Sequence, residues 1–195
     1  MHSAYLCVGA TTNELNWELP SGSFCVLGLR RAAPWDGWLE RGLRQLPALF
    51  SFDATQLRSL TVSGSLNAVS PEAWDLVFDA FPALDALILD VKLKGGAFPT
   101  VITHSLSATS SGEEGEPCVR CPALATLDIE GWRGTQTDAE DILACLQARA
   151  AGGARKLVSL ILGPDFATLE DEELGDMCAD HWQELCRSVE HFEHW

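Results

Sequence analysis

Basic residues are scarce in this chain. Thirteen Lys and Arg stand against 28 Asp and Glu, a formal net charge of −15. Nucleic-acid binding needs Lys and Arg clustered at phosphates, and an anionic membrane surface asks for the same. The composition therefore predicts no nucleic acid and no membrane among the partners. Long apolar runs are missing as well, since none approaches the roughly 18–20 residues that cross a bilayer. The opening segment, Met1 to Ala10, carries no Lys or Arg and only a short apolar run, so no signal peptide is expected.

Chemical signatures are equally sparse. The sequence holds no phosphate-cradling glycine loop, no GxSxG elbow and no HExxH pair. His104 is the only histidine between His2 and the C-terminal segment, which leaves no nucleophile–base–orienter set to assemble. The expectation is a protein that is not an enzyme. Seven cysteines make an odd count with no dense framework, which predicts reduced thiols and a cytoplasmic or nuclear location. Cys118-Val-Arg-Cys121 has metal-ligand spacing, but a zinc ribbon needs a second pair. The candidates, Cys178 with His181 and His191 with His194, lie far along the chain. A structural, metal-free reading of both cysteines is the expectation, with zinc as the lesser alternative and no cofactor.

What the chain does have is hydrophobic residues at 47%, enough for a packed core, and an internal repeat. Phe81-Pro-Ala-Leu-Asp-Ala-Leu-Ile-Leu-Asp90 and Cys121-Pro-Ala-Leu-Ala-Thr-Leu-Asp-Ile-Glu130 are near copies, and Cys121 stands where Phe81 does. The phrase Leu-x-x-Leu-x-Leu occurs at Leu57/Leu60/Val62, Leu84/Leu87/Leu89, Leu124/Leu127/Ile129 and Leu157/Leu160/Leu162. A weaker copy stands at Phe24/Leu27/Leu29. Alternating side chains make each phrase a strand with one buried face.

Helical patterns follow the strands. Ser70-Pro71-Glu72 supplies an N-cap, a proline for the first helical position and an acid for the first turn. Trp74, Val77, Phe78 and Phe81 then form one stripe. Thr137 to Glu140 reads as a capping box, and Gly152-Gly153 as the end of that helix. A helix is expected from Pro34 through Leu46, carrying Trp35 and Trp38. Pro99 to Thr103 is a short β-rich run, with a degenerate helix near Ile102–Leu106, and residues 50–56 read as loop or competing strand. Residues 107–117, rich in Ser, Gly and Glu, read as a mobile loop. Ser110 and Ser111 there each precede an acid by three residues, a spacing compatible with phosphate acceptance but more simply that of a solvated linker.

Three segments emerge. Residues 1–23 are an N-terminal cap in which Leu15, Trp17 and Leu19 alternate as an edge strand. Residues 24–163 are the irregular repeats. Residues 164–195 hold ten acids against Arg187 alone and form an acidic capping helix, striped by Leu174, Met177, Cys178, Trp182, Leu185, Val189 and Phe192.

The repeated phrases, with the run Asp141-Ile-Leu-Ala-Cys-Leu-Gln-Ala-Arg-Ala150, resemble the leucine-rich-repeat family in its ribonuclease-inhibitor-like form, and the repeat region of fungal F-box-like proteins. The resemblance implies an α/β solenoid, with about five parallel strands on a concave side and helices on the convex side. It also implies the partner-reading part of an F-box-type ubiquitin-ligase adaptor, here without the F-box. On that fold the partner-binding residues would be Arg30 on the first strand, and Ser59, Thr61 and Ser63 on the second. Ile88 and Asp90, then Thr126, Asp128 and Glu130, and finally Ile161 would continue the face. Trp132 would stand on the rim. The expected function is a non-catalytic protein-binding scaffold for a partner with a basic or mixed surface. The alternative is a structural remnant with no partner of its own.

Overall fold

The computed structural model describes residues 5–9, 24–28, 37–50, 57–91, 100–111, 117–132, 136–164 and 179–194. It is an α/β structure built on a seven-stranded sheet in the order β2-β1-β3-β4-β7-β8-β9. The strands are β1 (Tyr5–Gly9), β2 (Phe24–Gly28), β3 (Ser59–Gly64), β4 (Ala86–Val91), β7 (Thr126–Trp132), β8 (Ser159–Pro164) and β9 (His191–His194). Strands β5 (Thr109–Ser111) and β6 (Pro117–Val119) pair with each other outside it. The helices are α1 (Trp38–Leu49), α2 (Pro71–Ala80), α3 (Thr100–Ser107), α4 (Gln136–Ala151) and α5 (Ala179–Ser188).

Five strands, β3, β4, β7, β8 and β9, run parallel, while β1 is antiparallel to both β2 and β3. Each helix packs on the next in chain order, α1 on α2 through to α4 on α5. The leucines of the repeated phrase explain this layering. Leu60 and Val62, Leu87 and Leu89, Leu127 and Ile129, and Leu160 and Leu162 are all buried in one core. Leu39, Leu43 and Leu46 of α1, Trp74, Val77 and Phe78 of α2, and Ile142 and Leu146 of α4 complete that core from the helix side. Burying one such side chain contributes roughly 1.5–3 kcal/mol, so the shared core is the main term that holds the layers together.

Three of the parallel strands, β4, β7 and β8, enter the sheet by the same backbone device. The N–H groups of Asp85 and Ala86 both donate to the carbonyl of Arg58. Those of Ala125 and Thr126 both donate to Asp85, and those of Val158 and Ser159 to Ala125. Leu84 N–H closes a turn on Phe81, and Leu124 N–H closes the matching turn on Cys121. The two near-identical stretches thus fold alike, with one difference: Cys121 has φ +45°, the only positive value among the described non-glycine residues.

Local signals act as the sequence dictates. Ser70 Oγ accepts from Ala73 N–H at 3.4 Å and caps α2, with Pro71 in the first turn. The same hydroxyl donates to Glu40 Oε1 at 3.0 Å, and Arg44 reaches both groups, which ties α1 to the start of α2. Gly153, at φ +80°, ends α4 in the left-handed conformation that costs glycine least.

Several expectations are corrected. The strand at Phe24 exists, but it is an antiparallel edge strand; the fifth parallel strand is β9 instead. The C-terminal helix stops at Ser188 rather than running to Phe192. There Glu190 and His191 N–H donate to the Leu157 and Val158 carbonyls, so the unfilled edge of β8 draws the chain into the sheet. Of the β-rich run, Thr100 to Thr103 are helical, within Thr100–Ser107, in keeping with the degenerate helix near Ile102–Leu106, and Pro99 lies outside the described residues. The segment 107–117 is not wholly loop, because Ser110 pairs with Cys118 and Ser111 with Pro117. Thr137 lies inside α4, whose first helical residue is Gln136, so the capping-box register is shifted. The helix expected from Pro34 begins at Trp38. Trp35, Leu15, Trp17, Leu19, residues 51–56 and Thr168 to Cys178 lie outside the described residues.

Candidate functional site on the open sheet face

Alternation along each strand leaves a second set of side chains on the face away from the helices, and the strand register lines them up in rows. Ser59, Ala86, Thr126, Ser159 and His191 form one row. Thr61, Ile88, Asp128, Ile161 and Glu193 form the next. Ser63, Asp90, Glu130 and Gly163 form the third. All the expected face residues from β3, β4, β7 and β8 therefore share one surface. The antiparallel strand β1 extends it, with Cys7 beside Thr61 and Gly9 beside Ser59. Arg30 lies outside the described residues. Trp132 closes β7, where its backbone pairs with Pro164 past a bulge. Gly131, at φ +72°, makes that bulge possible.

The face is acidic at its centre. Asp128 lies between Ile88 and Ile161 and is only 6% exposed. Its Oδ1 has no hydrogen-bond partner. Burial, reinforced by the charges of Glu130 and Glu193, pushes its carboxyl from the ordinary 3.8 up to about 6. Asp90 is better satisfied, because the buried Ser63 donates from Oγ to its Oδ2 at 3.0 Å. Gly163 stands beside Glu130 in the register and places no side chain next to it. At the β9 edge, His191 Nε2 and Glu193 Oε1 share a 2.7 Å hydrogen bond, and both residues are exposed.

Sequence reasoning placed Asp128 on this face but not its burial, at a register position between the two isoleucines. It also missed Glu193 and His191, assigned there to a helix. The alternation His191-Phe192-Glu193-His194, with Phe192 packed on the core, was the available signal. Arg149 was missed too. It is 3% exposed and donates to the carbonyls of Leu106, Arg120 and Cys121 at 3.3, 2.8 and 2.9 Å. It stands at helical spacing from Ile142 and Leu146, on the apolar stripe of α4, and that position was the clue. Its role is structural: it satisfies a carbonyl in the last turn of α3 and two in the turn before β7.

The other candidate chemistries lie away from the open face. Cys118 is exposed, and Cys121 is buried with its Sγ 3.6 Å from the Phe81 carbonyl oxygen. Burial pushes the Cys121 thiol up to about 12 and that of Cys145 to about 11, so neither is poised as a thiolate. Among the described residues no group of three His, Cys, Asp or Glu side chains could hold a metal ion. His104 is exposed on α3, in the helix layer. No helix among the described residues is long and apolar enough to cross a membrane. The open face thus offers acceptors, short hydroxyls and two aliphatic side chains, a set suited to binding a donor-rich surface. No protein-family model matches the chain, and neither the curated proteins nor the solved structures hold a match to it.

Proposed function

We propose that this chain is a non-catalytic protein-binding module, a leucine-rich-repeat-like solenoid that reads a basic or mixed protein surface with its open sheet face. The observation that carries the proposal is the register. Asp90, Asp128 and Glu130 fall on adjacent strands of one face, beside Ser63, Thr61 and Thr126, with the helices all on the other side. Repeat scaffolds stack like units so that each touches its neighbours, and the chain-order packing of the helices and the shared strand-entry device fit that scheme. In this reading the chain serves as the partner-reading part of an adaptor. Its partner is a cytoplasmic or nuclear protein.

The test is charge reversal at the two accessible acids, Asp90→Lys with Glu130→Lys, followed by affinity capture from lysate. The expected result is loss of the proteins that the unaltered chain retains, with cooperative melting preserved. Retention of the same proteins by the folded double variant would refute the open face as the binding surface.

A further inference from the structure

Two buried polar atoms among the described residues have no hydrogen-bond partner: Trp74 Nε1 and Asp128 Oδ1. They differ in what could reach them. Trp74 is enclosed in the core beneath the helices, stacked on Phe78, where no ligand has a path. Asp128 is on the open face. An unsatisfied buried acceptor costs free energy that a bound donor recovers, so the orphaned oxygen marks a place where a ligand gains more than at an ordinary surface carboxylate.

The surroundings define that donor. Glu130 lies two residues along the same strand, and Glu193 lies on β9, one strand beyond Ile161. With Asp128 they make an anionic patch, yet no three of the described acids, cysteines or histidines are grouped closely enough to hold a metal ion. An organic cation can use the same charges without a tight coordination shell. The walls beside Asp128 are Ile88 and Ile161, both half-buried, so a cation arriving here needs an aliphatic stem to lie against them. One orphaned oxygen asks for a single N–H. A slim ammonium can give it and share its remaining protons with Glu130, whereas a planar guanidinium seeks two oxygens side by side.

We infer that Asp128 is an anchor for a lysine side chain of the partner, its methylenes held between Ile88 and Ile161 and its ammonium donating to Asp128. The inference rests on the open-face reading above and names what that face selects.

The probe is n-butylammonium, a lysine side chain without its backbone, titrated into the full chain and followed by NMR on the isoleucine methyls and the Asp128 carboxyl carbon. The expected result is a saturable shift of the Ile88 and Ile161 methyls. That shift is absent with sodium at the same ionic strength, at least tenfold weaker with n-propylguanidinium, and abolished in Asp128→Asn. Asp128→Asn removes a strained charge and keeps the shape, so it remains folded; its methyl spectrum in the absence of probe verifies this. Equal response to sodium, equal or stronger response to the guanidinium, or an unchanged response in Asp128→Asn would each overturn the anchor. The failures are separable. If the Asp90/Glu130 double reversal loses the captured proteins while Asp128→Asn keeps them, and the unaltered chain gives n-butylammonium no response beyond that to sodium, the face binds and the lysine anchor is wrong. If the double reversal also retains them, the open-face reading itself has failed.

Discussion

Asp128→Asn should make this protein more stable at neutral pH and leave it unchanged in acid. The native carboxyl titrates at about 6 rather than 3.8, because burial between Ile88 and Ile161 disfavours the charge and Glu130 and Glu193 repel it. A carboxyl whose folded pKa is raised binds its proton more tightly folded than unfolded. Below about pH 4 both states are protonated and the group costs nothing. Between about 4 and 6 the unfolded chain has released its proton while the native one holds it, so stability declines as pH rises. Above about 6 the penalty is complete. Each pKa unit corresponds to about 1.4 kcal/mol, and the full shift would approach 3 kcal/mol. Solvent and counterions along the half-exposed face reduce this to about 2 kcal/mol. In a chain of this size that is a rise in Tm of about 4–8 °C. The assay is thermal unfolding of the two proteins across pH 3.5 to 7.5, read as the difference between them. That subtraction removes the groups that do not interact with Asp128 and leaves its repulsion by Glu130 and Glu193 in the difference. A gap that opens between pH 4 and 6 meets the expectation. A gap of the same size at pH 3.5 as at 7.5, or none at 7.5, would refute the electrostatic origin.

Further outcomes follow from the same geometry. Arg149→Ala should destabilise by about 3 kcal/mol, since it leaves three carbonyls short of donors, and Arg149→Lys should recover only part of this in denaturant unfolding because one ammonium cannot span all three. Leu87→Ala, at the centre of the core, should cost about 2–5 kcal/mol by the same measurement. Brief iodoacetamide labelling read by peptide mass spectrometry should modify Cys118 and Cys186 and spare Cys121 and Cys145 until the protein is unfolded. Ser70→Ala should destabilise by about 1 kcal/mol through loss of the α2 cap, and more than a cap alone if its bond to Glu40 also matters; a double-mutant cycle with Glu40→Gln separates the two.

The parts of this fold that could be read from sequence are those fixed by side-chain periodicity. Leu60 and Val62, with their counterparts down to Leu160 and Leu162, stand at period two, and burial forces that face inward. Trp74, Val77 and Phe78 stand at helical spacing with a serine cap before them, and they pack as that spacing demands. The same rule put Asp90, Asp128 and Glu130 on one surface before any coordinates. What it could not supply was pairing. Whether the segment at Phe24 lies parallel or antiparallel depends on which edge remains vacant, and β1 takes the place beside β3. The end of the chain shows the same competition. Val189 and Phe192 continue the apolar spacing of α5, and both are at least partly buried, yet the backbone leaves the helix at Ser188. Apolar spacing is satisfied by either path here. The deciding term is the row of unpaired groups on β8, which His191 to His194 complete. That choice also brings Glu193 to the face of Asp128. A terminal strand captured by an open edge therefore changes the electrostatics two strands inward, and the candidate site is in part a product of how the sheet is finished.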